Sequence, residues 1–138
     1  MSGVIYKAIP KTVYDLASVI RGSPSSFVAA HALDLTEYRE ATMLVRFHQY
    51  YANNSYSIQV TAYSVAPTDE DCFNFASATP VADTGAIAQT QATPYLYIQS
   101  FGLPFGAYVT LIVTLTQTGG SPATTGSAVL SVDVVGKS

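Results

Sequence analysis

Charge is scarce in this chain, with 6 Lys and Arg and 9 Asp and Glu among 138 residues, or 11% charged. An ordinary soluble domain carries roughly a quarter. Most of its folded surface must therefore be neutral, and a surface of that kind is suited to being covered. The six basic residues are scattered and the net charge is −3, so no cationic stripe exists to neutralise a phosphate backbone and nucleic acid is not an expected partner. Cysteine is nearly missing too. Cys72 stands alone, which excludes an internal disulfide and a thiolate metal cluster and makes a reducing compartment the simplest home. Arg21, Arg39, Arg46, Asp34 and Asp133 interrupt any run approaching the ~20 apolar residues of a membrane span, so no membrane partner is expected either. Near the N-terminus, Lys7 and Lys11 break up Val4, Ile5, Ile9 and Pro10 without a continuous apolar stretch or a small-residue cleavage site. A secretory signal is not read there, and synthesis in the cytoplasm is the expectation.

What the chain does have is alternation with a period of two, which sends successive side chains to opposite faces of a sheet. Met43, Val45 and Phe47 share one face against Thr42, Leu44, Arg46 and His48. Ile58, Val60 and Ala62 share one against Ser57, Gln59, Thr61 and Tyr63. Asn53 and Asn54 lie between these runs, where asparagine tolerates positive φ, so the two are expected to pair as a hairpin. Later, Val109, Leu111, Val113 and Leu115 alternate with Tyr108, Thr110, Ile112, Thr114 and Thr116. Ala128, Leu130, Val132 and Val134 then alternate with Val129, Ser131, Asp133 and Val135, and a second hairpin is expected around Thr118–Pro122. Tyr95 to Ser100 reads as a further short strand, with Tyr95, Tyr97 and Gln99 on the side opposite Leu96 and Ile98. Helix evidence is thin because Thr, Val, Ile and Tyr lose side-chain freedom in a helix. The best helical stretch is 12–20, which reads equally well as irregular or extended.

Six to eight strands with long loops give an all-β fold, a two-layer antiparallel β-sandwich of possible jelly-roll type. Residues 1–25 lack clean alternation and end at Gly22-Ser23-Pro24-Ser25-Ser26, so they read as an extended N-terminal arm on a β-sandwich domain of residues 26–138. The strand from Tyr108 to Gln117 holds no charge, proline or glycine, and it would be an aggregation hazard as an open edge. It is expected to be central or paired with another subunit.

Sites of chemistry are weak throughout. Asp69-Glu70-Asp71 puts three carboxylates in one turn, as calcium loops do, but lacks the further ligands and the glycine such a loop needs; a solvated turn is the expectation, with no metal. His31 and His48 are the only histidines, and neither sits in a supporting motif. No Gly-x-Ser-x-Gly elbow presents a serine, and Cys72 has no basic neighbour to lower its pKa. Neither a catalytic set nor a cofactor site is expected, and the chain does not read as an enzyme. The Asn53-Asn54-Ser55 sequon has meaning only in a secreted protein. Tyrosine is the richest aromatic signal. Tyr63, Tyr95, Tyr97 and Tyr108 occupy faces opposite aliphatic stripes, where they serve cross-strand pairing, a protein interface or stacking on sugar rings. Together with Thr110, Ile112 and Thr114 on the uncharged strand, they form the expected contact surface. Val4, Ile5, Tyr6 and Ile9 are the expected anchors of the arm.

A neutral surface, a sandwich body and an arm, without disulfides or a reactive constellation, suggest a structural subunit of an assembly. In size, composition and layout the chain resembles the small β-sandwich proteins of phage-type particles, such as capsid decoration or cement proteins. That resemblance implies a protein made in the cytoplasm that ends on a virion or particle shell, binds itself or the shell as a homo-oligomer, and reaches a neighbour with its arm. The rival reading is a carbohydrate- or receptor-binding sandwich that presents an exposed tyrosine platform.

Overall fold

A computed structural model describes residues 3–19, 22–28, 32–65, 79–103, 108–119 and 125–137. Among them are ten strands: β1 (Gly3–Asp15), β2 (Ser25–Val28), β3 (Leu33–Asp34), β4 (Glu40–Ala52), β5 (Ser55–Val65), β6 (Thr79–Asp83), β7 (Ile87–Ala88), β8 (Tyr95–Gly102), β9 (Tyr108–Gly119) and β10 (Gly126–Lys137). They form two antiparallel sheets. One has four strands in the order β1-β10-β4-β8, and the other has six, with β2-β9-β5-β6 along its path, β3 beside β9 and β7 beside β5.

The alternation in the sequence sets which face each long strand buries. Met43, Val45 and Phe47 on β4, Ile58, Val60 and Ala62 on β5, Val109 to Leu115 on β9 and Ala128 to Val134 on β10 all turn their apolar set inward, fully buried. Each such aliphatic side chain contributes roughly 1.5–3 kcal/mol relative to exposure, so this shared layer holds the two sheets together. The uncharged strand β9 is interior to its sheet, between β2 and β5, which removes the edge hazard.

Both expected hairpins are corrected. β4 and β5 lie in different sheets, as do β9 and β10. Alternation fixes the buried face of a strand and says nothing of its neighbour, so two amphipathic strands joined by a short loop can equally well close over each other across a core. Here the corners brace one another. The Asn53 amide donates to the Thr125 carbonyl at 3.2 Å and the Thr125 amide donates back to Asn53 Oδ1 at 3.4 Å. A third connection joins them, where the Leu16 amide donates to the Gly126 carbonyl at 3.0 Å. A Cβ on Gly126 would stand 3.1 Å from the Ala52 Cβ and 3.2 Å from that of Leu16, so a side chain there would push these neighbours apart by a few tenths of an ångström.

The N-terminal segment is extended, as an arm is, and it lies along its own body. β1 pairs with β10 from Gly3↔Lys137 to Asp15↔Ser127, with register shifts around Ile9. Strand continues through Asp15 and a turn follows, so the stretch from Thr12 is not helical. Ile9, Tyr14, Leu16 and Val19 enter the core.

β8 reverses the expected sense. Tyr95 and Tyr97 turn toward the core, whereas Leu96 and Ile98 face outward at 43% and 58% exposed. The inner layer opposite β8 is wide enough for rings: Tyr95 packs on Phe47 at a centroid distance of 6.2 Å. The Tyr97 hydroxyl reaches the Asp83 carbonyl at 3.1 Å.

Candidate interaction surface

The outer face of the four-stranded sheet follows from its register. Cross-strand rows run Ile5–Val135–Thr42–Ser100 and Lys7–Asp133–Leu44–Ile98, then Ser131–Arg46–Leu96 and Val13–Val129–Gln49. Five of the seven large hydrophobic residues left exposed among the described residues, Ile5, Val13, Tyr51, Leu96 and Ile98, stand on this face. β1, β4 and β10 therefore carry apolar residues on both sides. At the centre Arg46 Nη1 meets Asp133 Oδ2 at 2.7 Å, with the two side chains 45% and 21% exposed. Thr42 and Ser100 hydroxyls are 2.9 Å apart, and His48 Nε2 lies 2.9 Å from Ser131 Oγ. These polar groups bond along the sheet, while Ile5, Val13, Leu96 and Ile98 at its two edges stay exposed and Leu44, Val129 and Val135 between them are half-buried. A shallow hollow of about 320 Å³ runs over this centre, bordered by Lys7, Lys11, Arg46 and His48.

The outer face of the six-stranded sheet has the opposite character. Thr110, Ile112, Thr114 and Thr116 on β9 lie beside Tyr63, Thr61, Gln59 and Ser57 on β5. Much of it is covered within the chain. Thr110 is fully buried, and Thr61 and Ser57 are 8% and 9% exposed. The Thr110 hydroxyl is buried without a hydrogen-bond partner. Asp83 at the edge is held by Gln59 Nε2, which donates to both carboxylate oxygens at 2.8 and 2.7 Å, and by the Gly85 amide at 2.7 Å.

The residues expected to make contacts are thus divided among three settings. Ile5 points outward at 68% exposed, while Val4 is half-buried, Ile9 is buried and the Tyr6 hydroxyl donates to the Asp34 carbonyl at 2.9 Å. Burial, and then the nearby Tyr38, Asp34 and Glu37, push the Tyr6 hydroxyl above its ordinary pKa. Tyr63, Tyr108, Ile112 and Thr114 are half-buried on the second face, and Thr110 has no exposed surface to offer. Tyr95 and Tyr97 border an open hollow of about 400 Å³ with Thr84, Thr90 and Gln91, which holds no charged residue. Asp34, Glu37, Arg39 and Glu40 are exposed, as expected of charge kept in water. His31, Cys72 and Asp69-Glu70-Asp71 lie outside the described residues. Among those described, no group of three or more His, Cys, Asp or Glu side chains is placed to hold a metal ion, and no helix is long and apolar enough to cross a membrane.

Sequence reasoning passed over the aliphatic set on the four-stranded sheet. Its signal was present, because Leu44, Val129 and Val135 sit on the supposedly polar faces of β4 and β10. Treating each strand as one apolar and one polar face hid them.

No family model and no curated protein matches this sequence. Solved structures do match its fold. The structure of infectious bursal disease virus, Gx strain, aligns with a TM-score of 0.59 at 10% identity over 97% of this chain and 32% of that one. The VP2 subviral particle of the same virus aligns at 0.55 and 16% identity, over 97% and 32% of the two chains. Its T13 viral particle aligns at 0.54 and 13% identity, over 96% and 30%. This chain spans about a third of the length of the proteins it matches. At such identities the likeness is one of fold: the chain is an all-β antiparallel sandwich of the kind found in virus particles.

Proposed function

We propose that the chain is a non-enzymatic structural subunit of a protein particle, a virion or capsid-associated protein of the decoration type that acts through protein–protein contacts. The observation that carries this reading is the bare aliphatic face of the four-stranded sheet, where Ile5, Val13, Leu96 and Ile98 remain 43–68% exposed on an otherwise complete sandwich. Several large apolar side chains exposed on one face of a folded domain suggest an interaction site. A fold shared with virus-particle proteins supports the same reading, and the strand order β1-β10-β4-β8 against β2-β9-β5-β6 supports its jelly-roll form. The partners are the chain itself or a larger shell, and the final location is the particle after synthesis in the cytoplasm. Ile5 stays central among the contact residues. Val4, Tyr6 and Ile9 hold β1 in place, so β1 presents Ile5 and Val13 to a neighbour from a seated strand. Tyr63, Tyr108, Ile112 and Thr114 form a secondary, half-buried contact.

Electron microscopy and light scattering of the purified chain, alone and mixed with particles from its source, test this. Binding to shells or formation of them is the expected result. A chain that neither self-associates nor binds particles would sink it. A second reading draws on the charge-free hollow beside Tyr95 and Tyr97, whose hydroxyls, amide and rings suit a neutral sugar. Glycan-array binding that disappears in Tyr95→Ala would favour it.

A further inference from the structure

We propose that the outer face of the four-stranded sheet docks on the same face of a second copy of this chain, related by a two-fold axis that runs across the strands. This rests on the particle-subunit reading and names the contact within it. Four features of the face carry the inference.

The first is that the β1 edge is guarded against strand addition and the β8 edge is tied by side chains to its neighbour β6. β1 carries Lys7, Pro10 and Lys11 and shifts register on both sides of Ile9, all devices that keep an edge from templating another strand. At β8, the Asp83 amide donates to Gln99 Oε1 at 3.1 Å and the Tyr97 hydroxyl caps the Asp83 carbonyl. On the other sheet, β2 has four residues and β6 has five including Pro80.

The second is area. Strands ~4.8 Å apart with ~3.3 Å per residue make four strands of about eleven residues a plane on the order of 700 Å². A stable interface needs about 800 Å² per partner. The bare face is thus the size that one sheet-on-sheet contact uses, and sheets stack this way inside sandwiches.

The third is charge. The face holds Lys7, Lys11, Arg46 and Lys137 against Asp15, Glu40 and Asp133, so it suits neither a strongly acidic nor a strongly basic partner. It suits a surface with both signs, such as itself.

The fourth is how those charges are placed. Asp15 and Lys137 sit at opposite ends of the β1–β10 ladder, since Asp15 pairs with Ser127 and Lys137 with Gly3. A two-fold axis across the strands reverses the ladder and brings each Asp15 to the Lys137 end of the other copy. Near the axis, Ser131 pairs with Arg46 and Asp133 with Leu44. The same rotation therefore sets each Asp133 beside Arg46 of the other copy, and these two opposite-charge pairs, repeated by the axis as in an isologous dimer, outnumber the like-charge approach of Lys7 to Lys11 of the other copy.

Sedimentation equilibrium of the full chain over a dilution series tests this. The wild type should reach twice its 14.6 kDa mass. Ile98→Glu should weaken dimerisation at least about tenfold and, at dilutions where both proteins are monomeric, should leave the melting temperature unchanged, because it buries a charge only in the contact. Val28→Glu, on the outer face of the other sheet, should leave the dimer intact. Asp15→Lys and Lys137→Asp should each weaken it, and the double variant should restore it. A dimer that survives Ile98→Glu, or a double variant no better than the singles, overturns the proposal. So does a wild type that stays monomeric. If that monomer still binds particles and Ile98→Glu prevents it, the two-fold contact fails while the particle reading stands; if particle binding is missing as well, both fail.

Discussion

On the outer face of the four-stranded sheet, Ile5, Val13, Leu96 and Ile98 are 43–68% exposed; on the outer face of the six-stranded sheet, Ser57, Thr61 and Thr110 are 9% exposed or less. The first face leaves aliphatic side chains open to water, whereas on the second the small polar residues of β5 and β9 are buried or half-buried. The charge deficit of the sequence is therefore concentrated on the six-stranded sheet. On β5 and β9 it accompanies burial within the molecule, where a lysine or glutamate would need a partner for its charge. On β1, β4, β8 and β10 charge is present, as Lys7, Lys11, Arg46, Lys137, Asp15, Glu40 and Asp133, and aliphatic side chains stand in solvent among these groups. It is the exposed aliphatic side chains of the four-stranded sheet, and not missing charge, that signal a missing partner.

The contrast presumes that the two faces are the outside of one cooperative body, and the strongest way to break it acts on their common inside. Phe47 is fully buried, stacks on Tyr50 at 5.5 Å and packs on Tyr95. Phe47→Ala should cost about 3–5 kcal/mol in urea unfolding. The tyrosine near-ultraviolet and backbone far-ultraviolet circular dichroism signals should still change together. Separate transitions would mean that the sheets unfold as two bodies.

A smaller effect probes the bond that crosses between the sheets. The Tyr50 hydroxyl, on β4, donates to the Ile87 carbonyl, on β7, at 2.7 Å. Tyr50→Phe leaves that carbonyl without this donor and should cost about 1–2 kcal/mol. Burial pushes the Tyr50 hydroxyl well above its ordinary value of 10.0. The folded state keeps a proton that the unfolded chain releases, so this contribution is complete below pH 10.0 and is lost as pH rises above it. Tyr50→Phe should flatten the alkaline fall in stability; an unchanged slope would assign that fall to other groups.

Face assignment was legible where alternation was strict. Met43-Val45-Phe47 and Val109 through Leu115 turned inward as read, since a period of two leaves each strand a single way to bury its aliphatic residues. Strand partnership was not legible, because Asn53-Asn54 closes a hairpin and turns a corner between sheets with the same residues. β8 misled for a related reason. Tyr95 and Tyr97 are amphipathic, so a ring can pack inward while its hydroxyl finds Asp83, and the aliphatic pair Leu96 and Ile98 is left outside. The open face escaped for want of a rule. Its residues are dispersed over β1, β4, β8 and β10, far apart in sequence, and only register gathers them.

Replacing a threonine on each face sharpens the comparison directly. Thr110 has a buried hydroxyl without a hydrogen-bond partner, whereas the Thr42 hydroxyl lies 2.9 Å from that of Ser100 on the open face. Thr110→Val removes an unsatisfied buried group and should stabilise the protein by about 1 kcal/mol. Thr42→Val should stay within about 0.5 kcal/mol of wild type. Equal responses in thermal unfolding would erase the distinction between a covered and an open face.

The smallest effect belongs to charge that lies on neither face. Asp34 sits exposed on β3, and its Oδ1 accepts from the Thr36 hydroxyl at 2.6 Å and the Thr36 amide at 3.1 Å. These bonds, the side-chain one foremost, hold its carboxyl below the ordinary value of 3.8. The folded state therefore favours the carboxylate. Its contribution is present above pH 3.8 and is lost as pH falls through and below that value. Solvent screening at so exposed a site limits it to about a few tenths of a kcal/mol. Thr36→Val removes the stronger of the two donors, so its stability should fall less on acidification than that of the wild type, by an amount just resolvable in paired urea titrations at neutral and acid pH. A large difference would mean that Asp34 is drawn into the body of the protein, and that charge in this chain is not confined to water and to the open face.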